Sequence, residues 1–262
     1  EEDAVISDEL NHASIIDGSR LSLGNRLKFK HNDLVDLEKK LKLPAKKKFV
    51  VVESIYSMDG DEAPLREITE LCDKHRAALV VDEAHATGVY GNRGEGLVSH
   101  YKLEEKVYAR VHTFGKALGL HGAAVVGSDI LRQYLINHAR SFIYSTALPP
   151  QHYMLLQNSY KLLPSADRRH LHELISYFRI KATSMTNVSF MESKSPIQGI
   201  LIRDNFKAKA LAEHLQKKGF FVRAILSPTV PAGTERLRIC IHTFNTPVQI
   251  DDLLEEVKVF LS

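Results

Sequence analysis

The amino-acid sequence predicts an α/β fold: a mainly parallel sheet with helices on both faces, followed by a smaller C-terminal α+β domain. Two runs, FVVVES (49–54) and ALVVD (78–82), are apolar throughout, which is typical of strands buried on both faces of a parallel sheet. Strand-like and helical segments alternate through the first half, as in layered α/β folds. After residue 150 long helical segments take over. We therefore predict a large domain over residues 1–150, and linking helices with a small domain over 151–262.

The first half contains the strands of the large domain, each a short run rich in aliphatic residues. In chain order they are predicted at residues 4–7, 27–30, 49–54, 78–82, 107–114 and 123–127. Helices are predicted at residues 34–41, 64–74 and 130–139. Pro64 suits the first turn of its helix, and Glu67 and Glu70 lie near the end where the helix dipole favours negative charge.

The second half opens with long helices, predicted at residues 151–163 and 166–183. Shorter strands and helices follow without regular alternation. The strands are predicted at residues 188–192, 199–202, 221–224 and 236–242, and the helices at 206–218 and 247–261. This mixture predicts a small α+β domain.

Composition excludes several classes of protein. The 262 residues carry 35 Lys+Arg and 32 Asp+Glu, a net charge of +3 that is too small to indicate a nucleic-acid or membrane partner. No apolar run approaches the roughly 18 residues that a membrane-spanning helix needs. Cys72 and Cys240 are too few for a disulfide framework, and no His or Cys spacing indicates a metal site. The first residues lack the basic and apolar regions of a signal peptide, so we predict a cytoplasmic protein.

The segment VVDEAH (80–85) has the form of the metal-binding box of helicase ATPases. Such an ATPase also needs a phosphate-binding loop of the form GxxxxGK[ST], whose backbone amides and lysine hold the nucleotide. The sequence contains no such loop. An ATPase is therefore not predicted.

A lysine downstream of this strand suggests different chemistry. Lys116 follows a strand-like run and has Gly115 and Gly119 beside it, and small residues let the backbone approach a ligand closely. A lysine that forms a Schiff base with pyridoxal phosphate needs a positioned, partly desolvated setting near an anion site, and the hydroxyl of Thr113 can serve that site. The cofactor also needs a carboxylate opposite its pyridine nitrogen, and Asp82 ends an apolar strand, where ligands of α/β sheets gather.

Four motifs carry a resemblance to a known family. They are DELNHASIIDG (8–18), ESIYSMDGDEAPL (53–65), DEAHATGVYGNRGEG (82–96) and HTFGKALG (112–119). Together they resemble the α-oxoamine synthases, the fold-type I pyridoxal-phosphate enzymes that condense an amino acid with an acyl-CoA. The resemblance runs from about residue 4 to the C-terminus. It implies the fold of that family, and a further segment preceding residue 4 that completes the large cofactor-binding domain.

The resemblance implies catalytic and cofactor-binding roles for four residues. Lys116 holds the cofactor covalently and later moves protons at the substrate α-carbon. Asp82 pairs with the pyridine nitrogen. His85 contacts the phenolic oxygen of the ring, and His12 stacks on the ring face beside the substrate. Taken alone, each of these residues has a structural interpretation, such as a surface lysine, a strand-end cap or a hydrogen-bonded histidine.

The resemblance also implies roles for residues around the cofactor and substrate. Ser57 and Thr113 bind near the ring and the phosphate, and Thr146 reaches the phosphate bound by a partner subunit. Thr229 lines the substrate site, and Arg238 clamps a substrate carboxylate, for which a planar guanidinium is suited. The alternatives are turn residues at 57 and 113, a helix cap at 146, and an exposed salt bridge at 238.

Three further segments indicate the substrates. IYSTALPP (143–150), SPIQG (195–199) and ILSPTVPAGTERLRI (225–239) look most like the family members that join L-alanine to pimeloyl-CoA or pimeloyl carrier protein, with loss of CO2, in biotin biosynthesis. Other members use glycine with acetyl-CoA, or act as serine palmitoyltransferase, and these stay open as alternatives. So does a non-catalytic partner subunit, although such subunits lack the lysine. The family resemblance implies a homodimer with active sites at the subunit interface.

Overall fold

The computed structural model describes residues 2–261, and its contacts divide the chain into two units. The first unit comprises Glu1–Tyr56 and Ala63–Ala166, and the second comprises Ser57–Glu62 and Asp167–Ser262. Among the described residues, no helix is long and apolar enough to cross a membrane.

The division by contacts falls later in the chain than the boundary predicted after residue 150. The reason is the helix Pro150–Leu162, which packs on the first unit. Ser159 Oγ donates to the carbonyl of Leu118 at 3.3 Å, and the rings of Tyr160 and Phe114 meet edge to face with centroids 6.3 Å apart. These contacts place the first long helix with the sheet rather than with the C-terminal segment.

The first unit alternates strands and helices. Its strands are β1 (Ala4–Asp8), β2 (Asn25–Phe29), β3 (Lys48–Glu53), β4 (Ala78–Asp82), β5 (Ala109–Thr113) and β6 (Ala123–Gly127). Its helices are α1 (Ala13–Arg20), α2 (Leu34–Leu41), α3 (Leu65–His75), α4 (Leu97–His100), α5 (Asp129–His138), α6 (Arg140–Ile143) and α7 (Pro150–Leu162), with 3-10 turns at Glu104–Lys106 and Leu163–Ser165. Helix α1 was not predicted, because its eight residues include Gly18 and bury no side chain.

The six strands form one sheet in the order β2-β1-β3-β4-β5-β6. Neighbours from β2 to β5 pair in parallel, which confirms the mainly parallel sheet. Strand β6 runs antiparallel to β5, because the short connection over residues 114–122 cannot make the crossover that a parallel pair needs. Since β2 and β3 lie on opposite sides of β1, the strand order reverses there, and ligands bind at the carboxyl ends of strands beside such a reversal.

The core of the first unit lies on the central strands. Ile6, Val50, Val52 and Val81 have no exposed surface, and α2 and α3 contribute buried side chains such as Leu37 and Ile68. At the sheet edge the burial changes. Strand β6 is equally apolar, yet Val125 is 52% exposed.

The second unit is an antiparallel sheet with helices, which confirms the predicted α+β pattern. Its strands, β7 (Ser189–Phe190), β8 (Ile197–Leu201), β9 (Arg223–Ile225) and β10 (Arg236–Cys240), are ordered β7-β8-β10-β9. Its helices are α8 (Arg168–Thr183), α9 (Asn205–Lys217) and α10 (Pro247–Leu261). Ile200 and Leu237 of the sheet, and Phe178, Leu211 and Val257 of the helices, are fully buried.

Candidate active site

Polar residues follow the carboxyl ends of neighbouring strands in the first unit. His12 lies shortly after β1, Glu53 and Asp82 end β3 and β4, and Thr113 ends β5. Glu53 and Asp82 are directly paired in the β3–β4 register. Because parallel strands end at the same edge of the sheet, this edge collects two carboxylates, an imidazole and a hydroxyl.

Asp82 is the electrostatic centre of this edge. Burial raises the pKa of its carboxyl group, while the N–H of Ala84 and the electrostatic influence of Lys116 and His12 act in the opposite direction. The Ala84 N–H donates to Asp82 Oδ1 at 2.8 Å. A partly desolvated carboxylate that is influenced by a lysine and a histidine is suited to bind a cationic ring nitrogen.

Lys116 lies in the connection between β5 and β6. Backbone hydrogen bonds fix this connection: Phe114 N–H donates to the carbonyl of Gly122 at 2.9 Å, and Gly119 N–H donates to that of Lys116 at 3.1 Å. The side chain is exposed, which differs from the partly desolvated setting that the sequence predicts. Gly115 and Ala117 on either side are exposed as well.

Gly88 brings the loop after β4 against this turn. Its φ is +82°, and a Cβ atom on it would lie 2.4 Å from the Cβ of Ala117. Only glycine permits both the left-handed backbone and the close approach. The loop that carries His85 is therefore held against the residue next to Lys116. His85 itself is half-buried.

Glu83 fixes the other end of the same loop. Its buried carboxylate accepts hydrogen bonds from the N–H groups of Leu97 at 3.0 Å and Val98 at 2.7 Å and from Ser54 Oγ at 2.8 Å. Burial raises the pKa of Glu83, and these hydrogen bonds act against that rise. The two adjacent acidic residues of the segment VVDEAH, Asp82 and Glu83, thus have different roles. Asp82 faces the candidate site, whereas Glu83 holds the loop.

His12 is the N-cap of α1, and its ring is oriented by Ser14. Nδ1 accepts from the Ser14 N–H at 3.2 Å and lies 2.8 Å from Ser14 Oγ. The backbone N–H of His12 donates to the carboxylate of Glu53, which is only 2% exposed. Sequence reasoning missed Glu53. Its signal was an acidic residue at the end of an apolar strand, as at Asp82.

The hydroxyl of Thr113 is a candidate ligand-binding group. Its Oγ1 is buried and has no hydrogen-bond partner among the described residues, and a buried polar atom left unpartnered is costly. A phosphate oxygen would satisfy it. With Asp82, Lys116 and the ring of His12 at the same strand ends, the donor set fits the pyridoxal phosphate implied by the resemblance.

A second buried pair beside Thr113 was also missed by sequence reasoning. Nδ1 of His112 lies 2.8 Å from the hydroxyl of Thr87, which donates to the carbonyl of Glu83 at 2.8 Å. Burial, with a smaller contribution from Arg110, lowers the pKa of His112 to about 4. His112 is therefore neutral at physiological pH and supports the loop rather than reacting.

Thr146 is exposed in the segment before α7. The N-cap of α7 is Pro149, and no side chain caps the helix. The alternative that Thr146 caps this helix is therefore wrong. Its role toward a partner subunit stays a prediction.

The second unit contains the remaining predicted residues. Arg238 Nε donates to the carbonyl of Ser57 at 2.8 Å, and Ser57 is 9% exposed. Among the residues described, Arg238 has no carboxylate partner, unlike Arg236, which pairs with Asp59. The salt-bridge alternative for Arg238 is not observed. Thr229 lies exposed in a turn.

Known proteins are similar to this chain over most of its length. Residues 1–257 match the family described as aminotransferase class I and II. A putative 8-amino-7-oxononanoate synthase of Geobacillus kaustophilus is 44% identical over 255 residues, which are 95% of this chain and 65% of that protein. The 8-amino-7-oxononanoate synthase of Marinobacter nauticus is 43% identical, over 96% of this chain and 64% of that protein. The chain thus spans about 65% of the length of such relatives.

Solved structures are similar over nearly the whole chain. A structure of serine palmitoyltransferase (SPT) with a pyridoxal-phosphate (PLP) internal aldimine superposes with a TM-score of 0.93 at 32% identity. The match covers 99% of this chain and 67% of that one. The 8-amino-7-oxononanoate synthase from Francisella tularensis superposes with a TM-score of 0.87 at 30% identity, covering 98% and 75%.

Proposed function

The chain belongs to the aminotransferase class I and II family, and on that premise we propose that it carries the pyridoxal-phosphate site of an 8-amino-7-oxononanoate synthase. The reaction condenses L-alanine with the acyl group of pimeloyl-CoA or pimeloyl carrier protein, and it releases CO2 and the free thiol of CoA or of the carrier protein. One observation carries the proposal. Asp82 is a partly buried carboxylate at the end of a central strand, and the electrostatic influence of Lys116 and His12 on its pKa acts against that of burial. The full-length relatives with this name support the choice of substrates.

The residues of this site divide the chemistry among them. Pyridoxal phosphate supplies an electron sink for the charge left when a proton leaves the amino-acid α-carbon. Asp82 would keep the pyridine nitrogen protonated, which would strengthen the electron-withdrawing effect of the ring. Lys116 would hold the cofactor, and its amine nitrogen would accept the proton of the amino-acid α-carbon. The hydroxyl of Thr113, buried without a partner, donates to the phosphate.

The other predicted residues bind and orient. His12 would stack its imidazole on the ring, and the backbone N–H of His12 donates to the carboxylate of Glu53. His85 contacts the phenolic oxygen, and Ser57 lies near the ring. Arg238 binds a substrate carboxylate, with Thr229 beside it. We also propose that the protein is a homodimer in which Thr146 contacts the phosphate bound by the partner subunit. We propose a cytoplasmic location for it.

The cofactor assignment is tested on the full-length protein with added pyridoxal phosphate. We expect a visible absorption band, and after borohydride treatment a peptide containing Lys116 with the mass of the reduced cofactor. Lys116→Ala should lose both the band and the labelled peptide. Lys209→Ala is the matched control, since Lys209 is an exposed lysine 4.0 Å from Glu213. A labelled peptide elsewhere in the chain would refute the assignment.

The substrates are tested by comparing amino acids and acyl thioesters. We expect L-alanine with pimeloyl-CoA to give the highest kcat/KM. Glycine with acetyl-CoA as the best pair would show a 2-amino-3-ketobutyrate CoA ligase. Serine with palmitoyl-CoA is the second candidate pair, because solved structures of SPT are similar to this chain. A full-length protein that binds the cofactor but turns over none of these pairs would point to a non-catalytic subunit.

A further inference from the structure

Two arginines face each other on the sheet of the second unit. Strands β9 and β10 are antiparallel, and their register pairs Arg223 directly with Arg238. Directly opposed residues point to the same face with Cβ atoms about 5 Å apart, and like charges in that position are destabilising. The arrangement therefore favours anionic groups of a ligand beside these two side chains.

Neither arginine has a carboxylate partner among the residues that the structure describes. Arg238 donates from Nε to the Ser57 carbonyl at 2.8 Å, which leaves its terminal nitrogens available. The guanidinium of Arg223 lies 5.1 Å from the centre of the Phe221 ring, a cation–π contact that holds the group without neutralising it. Arg236, two residues before Arg238, is by contrast paired with Asp59. The charge of the opposed pair is thus left for a ligand.

Both arginines line one cleft of the second unit, with a volume of about 740 Å³. Its remaining wall is mostly apolar and includes Phe220, Phe221 and Phe244. Phe221 and Phe244 are 80% and 75% exposed, so their rings are accessible to a ligand. A cleft of this size, with apolar walls and a few charged groups, is typical of a small-molecule site. It matches a ligand with a methylene chain that ends in an anion.

We infer that Arg223 is a specificity-determining residue that binds the terminal carboxylate of the acyl donor. This inference rests on the proposed function and names the feature of the acyl thioester that the second unit recognises. Arg238 serves the amino-acid carboxylate, the Phe side chains contact the methylenes, and Arg223 supplies the second cation. A pimeloyl group has seven carbons and a distal carboxylate, whereas a heptanoyl group of the same length ends in a neutral methyl.

The test compares these two acyl groups on the full-length enzyme loaded with pyridoxal phosphate. Wild type should prefer pimeloyl-CoA to heptanoyl-CoA, and Arg223→Gln should reduce that preference by about 10-fold or more, as expected for the loss of a charge-assisted hydrogen bond. Arg169→Gln is the matched control. Arg169 is an exposed arginine that pairs with Glu173 on α8, and its replacement should leave the preference unchanged. Repeating the comparison with pimeloyl and heptanoyl N-acetylcysteamine thioesters removes the CoA phosphates, and the same loss of preference is expected.

The possible results distinguish a failure of the role of Arg223 from a failure of the proposed function. An unchanged preference in Arg223→Gln, an equal loss with both acyl groups, or an effect confined to the CoA esters would overturn the role of Arg223. A weaker alanine-dependent change in cofactor absorbance in this variant would also overturn it, because Arg223 would then bind the amino acid. If wild type used neither acyl group, the proposed function itself would fail, and the role of Arg223 with it.

Discussion

At the scale of single residues, the carboxylates of the first unit show how burial assigns roles. Asp82 and Glu83 are adjacent in sequence, and burial raises the pKa of both. Glu83 has no exposed surface. Its carboxylate oxygens accept hydrogen bonds from the N–H groups of Leu97 and Val98 and from the hydroxyl of Ser54. Asp82 accepts one backbone hydrogen bond and keeps an oxygen for a ligand. The sequence motif could not separate them, because both follow the same apolar strand.

Asp82→Asn tests the electronic role of this carboxylate. The amide is isosteric but cannot keep a pyridine nitrogen protonated, so we expect the enzyme to bind the cofactor and lose kcat by about 100-fold or more, as when a preorganised electrostatic group is removed. Cofactor absorbance and turnover would be measured together. Asp73→Asn is the control, since Asp73 pairs with Lys106 on the surface. Full activity of Asp82→Asn would contradict the role.

At the scale of elements, the loop after β4 depends on glycines where other residues would not fit. Gly96 has φ +104°, and a Cβ atom on it would lie 2.6 Å from Oε2 of Glu83. It stands immediately before α4, whose first N–H groups Glu83 binds. The turn and the buried carboxylate are therefore mutually dependent. The sequence shows the glycine, but only the folded chain shows what approaches it.

Gly96→Ala is expected to lower the free energy of unfolding by about 1–3 kcal/mol, because a strained left-handed backbone and a displaced Glu83 act together. Gly18→Ala is the matched control. Gly18 lies inside α1 with no heavy atom within 4 Å of an added Cβ, so the alanine should stabilise by about 0.5–1 kcal/mol. Urea unfolding of the two variants would measure both changes. Equal effects would show that space around Gly96 is not the cause.

At the scale of the whole molecule, stability depends on pH through a histidine that no sequence motif singles out as structural. His112 is 8% exposed, and its pKa falls from 6.5 to about 4 in the folded chain. The folded state thus binds fewer protons than the unfolded state between these values, and stability falls as the pH falls through this window. Above pH 6.5 the stability associated with neutral His112 is fully present. Its loss on going to low pH amounts to roughly 3 kcal/mol, since one pKa unit corresponds to about 1.4 kcal/mol.

His112→Gln should flatten this part of the stability profile. We expect the difference in unfolding free energy between pH 7 and pH 4.5 to shrink by roughly 2–3 kcal/mol, measured by urea unfolding at each pH. His100→Gln serves as the comparison, because His100 is exposed and its replacement should leave the slope in place. A slope that survives in His112→Gln would assign the pH dependence to other groups.

The sequence by itself determined the type and order of the main elements, because apolar periodicity and turn residues are local properties. It also predicted Lys116 and Asp82 as cofactor residues, because their residue types follow from the chemistry of one cofactor. Only the tertiary structure decided that β6 runs antiparallel, that α7 packs on the first unit, and that Glu53 and Glu83 hold the segments carrying His12 and His85. The pairing of Arg223 with Arg238 was likewise decided only by the tertiary structure. These features arise from strand register and burial between residues far apart in the chain, which no local pattern encodes.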